Sequence, residues 1–471
     1  MTRPLRLDPA RFFPAEPGVR RIAHDLFAEV ETLPIVSPHG HADPAWFAQD
    51  APFDDAPGLI LIPDHYLLRM LASQGVSLEQ LGLRPLDGGA FETDRRTIWR
   101  RFAEHYHLFR GTPSRLWLDH AFADLFGLDV RLEAETADFY FDAIGRALAT
   151  PAFRPRALFE RFAIEVLATT EGALDPLDHH TALRESGWPG RLIPTFRPDD
   201  VTDPDKPGFH GRLMQLGEAT GEDTATWDGY LAALRARRAH FRSLGATATD
   251  HGPPSAATAD LAGSDCQGLL DRRLLGRAQP GDAEAFRAQM LTEMAAMSCD
   301  DGMVMQLHPG AHRDHSPGML KRFGHDKGWD IPTSANFVDA LKPLLDRFGN
   351  AANFTLVLFT LDRAAWARDL APLAGVYPCL RLGAPWWFHD SFDGMMNFRR
   401  QVTETVGFHN TVGFADDTRA FISIPARHDL ARRIDCAFLA ELVATHRLEL
   451  DEAAEVARDL AYGLAKATYR L

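Results

Sequence analysis

The feature that most constrains this chain is a regular alternation of short apolar runs with stretches of helical periodicity. Each run has four to six residues, a typical strand length, and apolar residues at helical spacing separate successive runs. Eight parallel strands with helices between them make a (β/α)8 barrel, so we predict an α/β fold of the TIM-barrel type. A doubly wound open sheet is the alternative, and the lack of a Gly-rich turn after an early strand disfavours it. The predicted strands are residues 35–38, 164–169, 192–196, 246–249, 303–307, 354–359, 379–382 and 412–415.

Residues 51–160, between the first two predicted strands, carry mainly helical signals. Four stretches place apolar residues at helical spacing, and Gly-, Pro- and Asp-rich turns separate them. We predict one domain over residues 1–471, with residues 51–160 as a helical insertion after strand 1 that covers the active site. A separate helical domain is the alternative, although no linker-like composition separates the segment from its flanks.

Composition and charge narrow the class of protein. The hydrophobic content of 45% and the charged content of 24% are those of a soluble globular protein. The net charge of −15 argues against a nucleic-acid partner or an anionic membrane, and leaves open an anionic small molecule bound by local arginines. The four cysteines form no CxxC pair, and we find neither a secretory signal nor an apolar run long enough to span a membrane. We therefore expect a cytoplasmic protein.

His39 and His41 flank Gly40 directly after the first predicted strand. In an extended chain such residues point to the same face, roughly 6.6 Å apart at a rise of about 3.3 Å per residue. Two imidazoles at this spacing can bind one metal ion, and Gly40 allows other groups to approach closely. Because the chain has 20 histidines, a chance pair is the alternative. The position at a strand end favours a metal site.

Polar residues follow the other predicted strands as well. Active sites of such barrels lie at the C-terminal ends of the strands, and strand 8 is the neighbour of strand 1. Asp417 after strand 8 can therefore join His39 and His41, and three such ligands suit zinc or another catalytic divalent ion. If strand 8 is displaced by one residue from the predicted position, Asp416 replaces Asp417 as the third ligand. The other candidates at strand ends are Glu171, Arg197, Asp250, His308, Asp362, Trp386 and Arg419.

Several short motifs occur in a fixed order over nearly the whole chain, and together they resemble the uronate isomerase (glucuronate isomerase) family of the amidohydrolase superfamily. Two departures from that family are Ser37-Pro38-His39-Gly40-His41, where many members have Asp-Tyr-His-Cys-His, and Glu171-Gly172-Ala173, where Asp-Asp-Pro is common. We interpret both as a subfamily difference. The matching motifs are His39-x-His41, Asp64-His65-Tyr66, Thr169-Thr170, Phe196-Arg197-Pro198-Asp199, Met305-Gln306-Leu307-His308-Pro309-Gly310, Trp386-Trp387-Phe388, Asp417-Thr418-Arg419-Ala420-Phe421 and Arg427-His428.

The resemblance implies an aldose–ketose isomerase of hexuronic acids. Such an enzyme interconverts D-glucuronate with D-fructuronate and D-galacturonate with D-tagaturonate, by moving a proton from C2 to C1 through a cis-enediol. It implies one divalent metal ion on His39, His41 and Asp417, zinc in the first place, with manganese or another ion as alternatives. It is also compatible with a homo-oligomer. The expected catalytic residues are Asp417 as base, Tyr66 or His65 as acid, and Arg419; the expected substrate-binding residues are Arg197, Asp250, His308 and Trp386.

A mononuclear metal-dependent hydrolase of the same superfamily is the alternative function. Most such hydrolases have a further histidine after strand 6, and the binuclear ones add a lysine after strand 4. This chain has Asp362 and Asp250-His251 at those places. Both differences favour isomerisation, and no feature favours a non-enzymatic sugar-acid sensor.

Overall fold

The computed structural model describes residues 2–471, and within them the main sheet has seven parallel strands. The strands follow the order β1-β2-β3-β4-β5-β8-β9 along this sheet, which is consistent with a TIM-like barrel. A separate antiparallel hairpin consists of β6 and β7. The strands are β1 (Ile35–Ser37), β2 (Ile164–Gly172), β3 (Arg191–Arg197), β4 (Ala248–His251), β5 (Val304–Leu307), β6 (Ala311–His312), β7 (Ile331–Pro332), β8 (Leu356–Leu358) and β9 (Leu380–Leu382).

Seven of the eight predicted strands are confirmed, and the eighth is wrong. Residues 412–415 form no strand, and a single parallel bridge joins Thr411 to Leu382 of β9. The reason is local backbone geometry: Gly413, inside the predicted strand, has φ +76°, a left-handed value that a strand does not tolerate. The missed hairpin of β6 and β7 has two residues in each strand, too few to produce a periodic pattern.

Residues 412–418 form an irregular segment, and backbone hydrogen bonds attach it at both ends. The N–H of Val412 donates to the carbonyl of Leu382 at 3.0 Å, and the N–H of His41 donates to the carbonyl of Thr418 at 3.0 Å. The segment therefore lies between β9 and the chain that follows β1, which is the place where an eighth strand was expected.

Helices surround the sheet, and the four helical stretches predicted within residues 51–160 are confirmed as α3 to α6. Within residues 2–471, no helix has both the length and the apolar character needed to cross a membrane. The α-helices are α1 (Pro17–Ala28), α2 (Pro44–Gln49), α3 (His65–Ser73), α4 (Arg95–His105), α5 (Pro113–His120), α6 (Ala137–Leu148), α7 (Pro155–Arg161), α8 (Asp178–Glu185), α9 (Asp199–Thr202), α10 (Phe209–Thr220), α11 (Trp227–Ser243), α12 (Gly263–Leu274), α13 (Asp282–Asp301), α14 (Pro317–Phe323), α15 (Lys342–Phe348), α16 (Arg363–Ala365), α17 (Ala371–Val376), α18 (Phe392–Val406), α19 (Ile424–Ala444), α20 (Leu450–Arg458) and α21 (Leu464–Tyr469).

An apolar cluster inside the curved sheet contacts the end of the chain. Val36, Val166, Ala168 and Ile193 form one buried cluster with Ala465 of α21. These sheet residues come from three neighbouring strands, and Val166 and Ala168 lie two positions apart in β2, as expected for side chains on one face of a strand. The last helix therefore packs against the inner face of the sheet.

The helix α2 anchors the chain just after the His39–His41 pair. Asp43 caps it by accepting a hydrogen bond from the N–H of Ala45 at 2.8 Å, and Pro44 occupies its first turn. Its Phe47 is fully buried, and the ring centroid lies 5.0 Å from that of Phe421. Aromatic packing thus connects the residues after β1 with those after Asp417.

We predict that Phe47→Ala lowers the free energy of unfolding by about 3–5 kcal/mol, because it leaves a cavity in this aromatic cluster. Urea denaturation followed by circular dichroism measures the change. The matched control is Phe139→Ala, because that ring is 47% exposed and its loss should cost about 0.5 kcal/mol. Equal losses in the two variants would contradict this role for Phe47.

Candidate active site

A cavity of ≈ 910 Å³ lies at the C-terminal ends of the parallel strands. The ten residues that were given a catalytic, substrate-binding or metal-binding role from the sequence line it, although they come from distant parts of the chain, whereas the strand-end candidates Glu171 and Asp362 do not. This position and the convergence of titratable groups are those of a TIM-barrel active site. The residues that the structure brings together here are His39, His41, His65, Tyr66, Arg197, Asp250, His308, Trp386, Asp417 and Arg419.

The carboxylate of Asp417 faces both histidines of the first motif. Its Oδ1 atom lies 3.1 Å from Nε2 of His41 and 3.5 Å from Nε2 of His39. The alternative, Asp416, is directed elsewhere, because its Oδ2 atom is 3.0 Å from Nε2 of His428. Of the two neighbouring aspartates, Asp417 is therefore the one that faces the pair.

Close backbone packing holds the first motif in this position. A side chain at Gly40 would lie 3.4 Å from the carbonyl oxygen of Ala168 and 3.5 Å from that of Thr418. The hydroxyl of Thr170 donates to the carbonyl of Gly40 at 2.9 Å. Asp417, which faces this motif, has a left-handed backbone with φ +38°. Strained backbone of this kind is common at functional sites.

A second chain of charged contacts runs across the cavity through Asp250. Its Oδ1 atom is 2.7 Å from Nδ1 of His308, and its Oδ2 atom is 3.2 Å from Nη1 of Arg197. Burial alone would raise the pKa of Asp250, but Arg197 and His308 outweigh it and hold the pKa well below its usual range. Arg197 is also bound by Asp199, whose Oδ2 lies 2.9 Å from its Nε. Both carboxylates thus contact the guanidinium and fix its position.

The donor groups in this cavity fit a divalent metal ion. His39, His41 and Asp417 offer ligand atoms within 4.8 Å of one another, and so do His39, Asp250 and His308. Burial lowers the pKa of His39 to about 4, so its ring is neutral, as a ligand must be. Burial would raise the pKa of Asp417, but His39 and His41 outweigh it and lower the pKa below its usual range. Histidine nitrogens together with an ionised carboxylate are a donor set typical of zinc and related ions.

The first turn of α3 brings His65 and Tyr66 to the cavity. Asp64 caps this helix by accepting from the N–H groups of Tyr66 at 2.8 Å and Leu67 at 3.2 Å. Burial lowers the pKa of His65 to about 3, and burial raises the pKa of Tyr66 above its usual range. At neutral pH the imidazole is therefore uncharged and the phenol keeps its proton.

The remaining predicted residues form the wall and the rim of the cavity. Trp386 packs edge-on against His308, with ring centroids 4.7 Å apart. Arg419 is part-exposed, and its Nη2 donates to Oδ2 of Asp326 at 3.0 Å. Asp326 follows α14 and was not singled out from the sequence, because it lies far from any strand end.

Arg427 is the most prominent cavity residue without a role predicted from the sequence. It is fully buried in α19, paired with Asp390, and its guanidinium carbon lies 3.6 Å from the ring centroid of Trp117. Arg427 belongs to the Arg427-His428 motif noted in the sequence. The sequence alone does not show where a side chain on a helix points, so no role could be assigned to it. A buried arginine that faces a cavity is suited to binding an anion.

Known proteins with similar sequences and structures point to one family. A family profile described as glucuronate isomerase matches residues 19–469. The chain is 63% identical to the uronate isomerase of Rhizorhabdus wittichii, over 99% of either chain. It is 60% identical to that of Phenylobacterium zucineum, over 100% of this chain and 98% of the relative. The glucuronate isomerase of Caulobacter crescentus has a similar crystal structure, with a TM-score of 0.98 and 57% identity over 99% of this chain and 98% of that one.

The fold and the cavity define a class of enzyme, a TIM-like protein with a histidine and aspartate cluster that suits a metal ion. Within that class, the chain belongs to the glucuronate isomerase family. The resemblance noted from the motifs is confirmed, and the protein is an isomerase. The hydrolase alternative is not favoured by these likenesses.

We predict that His251, buried at the end of β4, makes the fold sensitive to acid. Burial lowers its pKa from 6.5 to about 4, so between these values the unfolded chain binds a proton that the folded chain excludes. Stability is therefore lost as the pH falls from 6.5 to 4. Between pH 7 and pH 4.5 the wild type should lose about 2–3 kcal/mol more than His251→Gln.

Urea denaturation at the two pH values measures this difference in stability. His409→Gln is the control, because it makes the same change at an exposed histidine. Parallel losses of stability in the wild type and His251→Gln would contradict the prediction.

Proposed function

We propose that the protein interconverts D-glucuronate with D-fructuronate and D-galacturonate with D-tagaturonate. The observation that carries this proposal is the convergence of Asp417, Tyr66 and five arginines on one cavity, which supplies a base, an acid and an anion site. The names of the relatives, uronate isomerase and glucuronate isomerase, support a uronate as the substrate. A small hexuronate is also compatible with the size of the cavity.

We infer that His39, His41 and Asp417 hold one divalent metal ion, zinc in the first place and manganese as the alternative. When bound there, such an ion can hold the substrate through its carboxylate and a neighbouring hydroxyl and stabilise negative charge on oxygen. His308 and Asp250 are already joined to each other at 2.7 Å. We therefore assign these two residues to the oxygens at C1 and C2 of the substrate.

Charged and aromatic side chains orient the rest of the sugar acid. The guanidinium of Arg197 is fixed by Asp199 and Asp250, so its free N–H groups can bind a carboxylate or hydroxyls with little loss of entropy. Arg419, at the rim of the cavity, can also bind a carboxylate or hydroxyls of the substrate. Trp386 forms an apolar wall against the carbon atoms of the sugar.

The proton transfer uses Asp417 and Tyr66. One oxygen of the Asp417 carboxylate accepts the proton from C2, and the electrons of the C–H bond form the C1–C2 double bond of the cis-enediol. Tyr66, whose phenol stays protonated at neutral pH, gives a proton to the oxygen at C1 and takes one from the oxygen at C2. Asp417 then returns its proton to C1, which completes the ketose. His65, as a neutral imidazole, donates a further hydrogen bond to the substrate.

We also propose the architecture that this chemistry uses. Residues 1–471 form a single domain, and the irregular segment after β9 takes the eighth position and closes a (β/α)8 barrel. Residues 51–160 are a helical insertion that covers the active site with His65 and Tyr66. A cytoplasmic location stays a prediction.

We expect the purified protein to convert D-glucuronate and D-galacturonate into ketoses, measured as ketose formed over time. Removal of metal with a chelator should lower the rate about tenfold or more, and added zinc or manganese should restore it. Protein treated with chelator already saturated with zinc is the control. Absence of ketose from both uronates, with and without added metal, would overturn the proposed function.

We expect Asp417→Asn to lower kcat/KM about 10³-fold or more, since an amide is a poor base and a weaker ligand. Steady-state kinetics and zinc content of the purified variant measure the two roles separately. Asp200→Asn is the matched control, because Asp200 lines the same cavity at a part-exposed position outside the ligand set. Near-full activity of Asp417→Asn would exclude Asp417 as base and as ligand.

A further inference from the structure

Gln306 of β5 lies inside the sheet, between His39 and the last helix. Its side chain is fully buried, and its Nε2 atom is 3.4 Å from Nδ1 of His39. Its Oε1 atom accepts a hydrogen bond from the hydroxyl of Tyr469 at 2.9 Å. Tyr469, at the end of α21, is also fully buried. These three side chains form a row that leads from the candidate metal site to the C-terminal helix.

The nitrogen of His39 that faces Gln306 is the one directed away from Asp417. Nε2 of the same ring faces Asp417, so it is the atom available to a metal ion. An imidazole that binds metal through Nε2 carries its proton on Nδ1, and this N–H is normally held by a hydrogen-bond acceptor. Among the described residues, Gln306 is the side chain that makes a hydrogen-bond contact with this Nδ1 atom.

The amide of Gln306 can serve both tautomers of His39. As it stands, its NH2 group faces Nδ1, which suits a ring with the proton on Nε2. A rotation of the amide by 180° presents Oε1 to the N–H of Nδ1 and directs the NH2 group to the hydroxyl of Tyr469. A phenol hydroxyl both donates and accepts, so Tyr469 remains a partner in either arrangement.

We infer that Gln306 is a positioning residue that holds the ring of His39 with Nε2 directed to the candidate metal site, and that Tyr469 holds its amide in place. The inference rests on the proposed metal site. It gives the buried end of α21 a role in metal affinity, although Tyr469 does not line the cavity. A purely structural role would affect the stability of the fold and leave the affinity for metal unchanged.

The test is the affinity of the metal-free full-length protein for zinc, measured by competition with a chelator, together with the thermal unfolding midpoint. Gln306→Met keeps the volume and removes the acceptor, and its dissociation constant for zinc should rise about 10–100-fold. Gln306→Glu restores an acceptor and should keep the dissociation constant within about tenfold of the wild type. Gln289→Met is the matched control, because Gln289 is buried in α13 and binds Glu293 and the N–H of Leu261.

A second pair of variants covers the case in which Gln306→Met does not fold. Tyr469→Phe removes one hydroxyl and should weaken zinc binding about threefold or more, whereas Tyr230→Phe should not. Tyr230 is the control because it is fully buried and its hydroxyl donates to the carbonyl of Val201, away from the cavity.

The possible outcomes distinguish failure of this inference from failure of the proposed metal site. Failure of the wild type to bind zinc would overturn the metal site and the inference with it. Zinc binding by the wild type, with Gln306→Met and Tyr469→Phe within twofold of their controls, would overturn the inference alone. Weaker zinc binding in these two variants, at unfolding midpoints similar to the controls, would support it.

Discussion

The structure depends on the contact between the Asp417 carboxylate and the two histidines that follow β1. It joins the first strand of the sheet to the segment that comes after the last one, across nearly four hundred residues of chain. The backbone hydrogen bond from His41 to Thr418 reinforces it, and so does the packing of Phe47 on Phe421. One end of the parallel sheet is thus tied to the other by the same groups that are arranged to bind a metal ion.

Buried charges in this cavity are tolerated because each has a partner. An unpaired carboxylate in such a place would be protonated, since burial favours its neutral form. Asp250 keeps its charge through Arg197 and His308, and Asp417 keeps its charge through the imidazoles beside it. The uncharged state of His39 follows from the same burial. A cavity with fixed anions, neutral imidazoles and held guanidinium groups needs little rearrangement when a charged substrate enters.

The sequence predicted the fold class and the cavity residues because both follow from strand order. Once strands are placed in a parallel sheet, residues at their C-terminal ends must meet, so Arg197, Asp250 and Asp417 could be identified without coordinates. Residues that reach the cavity from helices and long loops could not be identified from strand order, because helix packing decides where they point. The family resemblance supplied His65 and Tyr66 of α3, and it gave no role to Arg427 or Asp326. The predicted eighth strand failed for a different reason, since Gly413 adopts a left-handed φ that the apolar run around it does not reveal.

The central claim is that His39, His41 and Asp417, rather than His39, Asp250 and His308, bind the metal ion. Diffraction from crystals of the zinc-loaded protein, with data collected on both sides of the zinc absorption edge, locates the ion directly. We predict one anomalous peak about 2.0–2.2 Å from Nε2 of the two histidines and an oxygen of Asp417. A peak bound by Asp250 and His308 instead, or no peak in the cavity, would contradict the account.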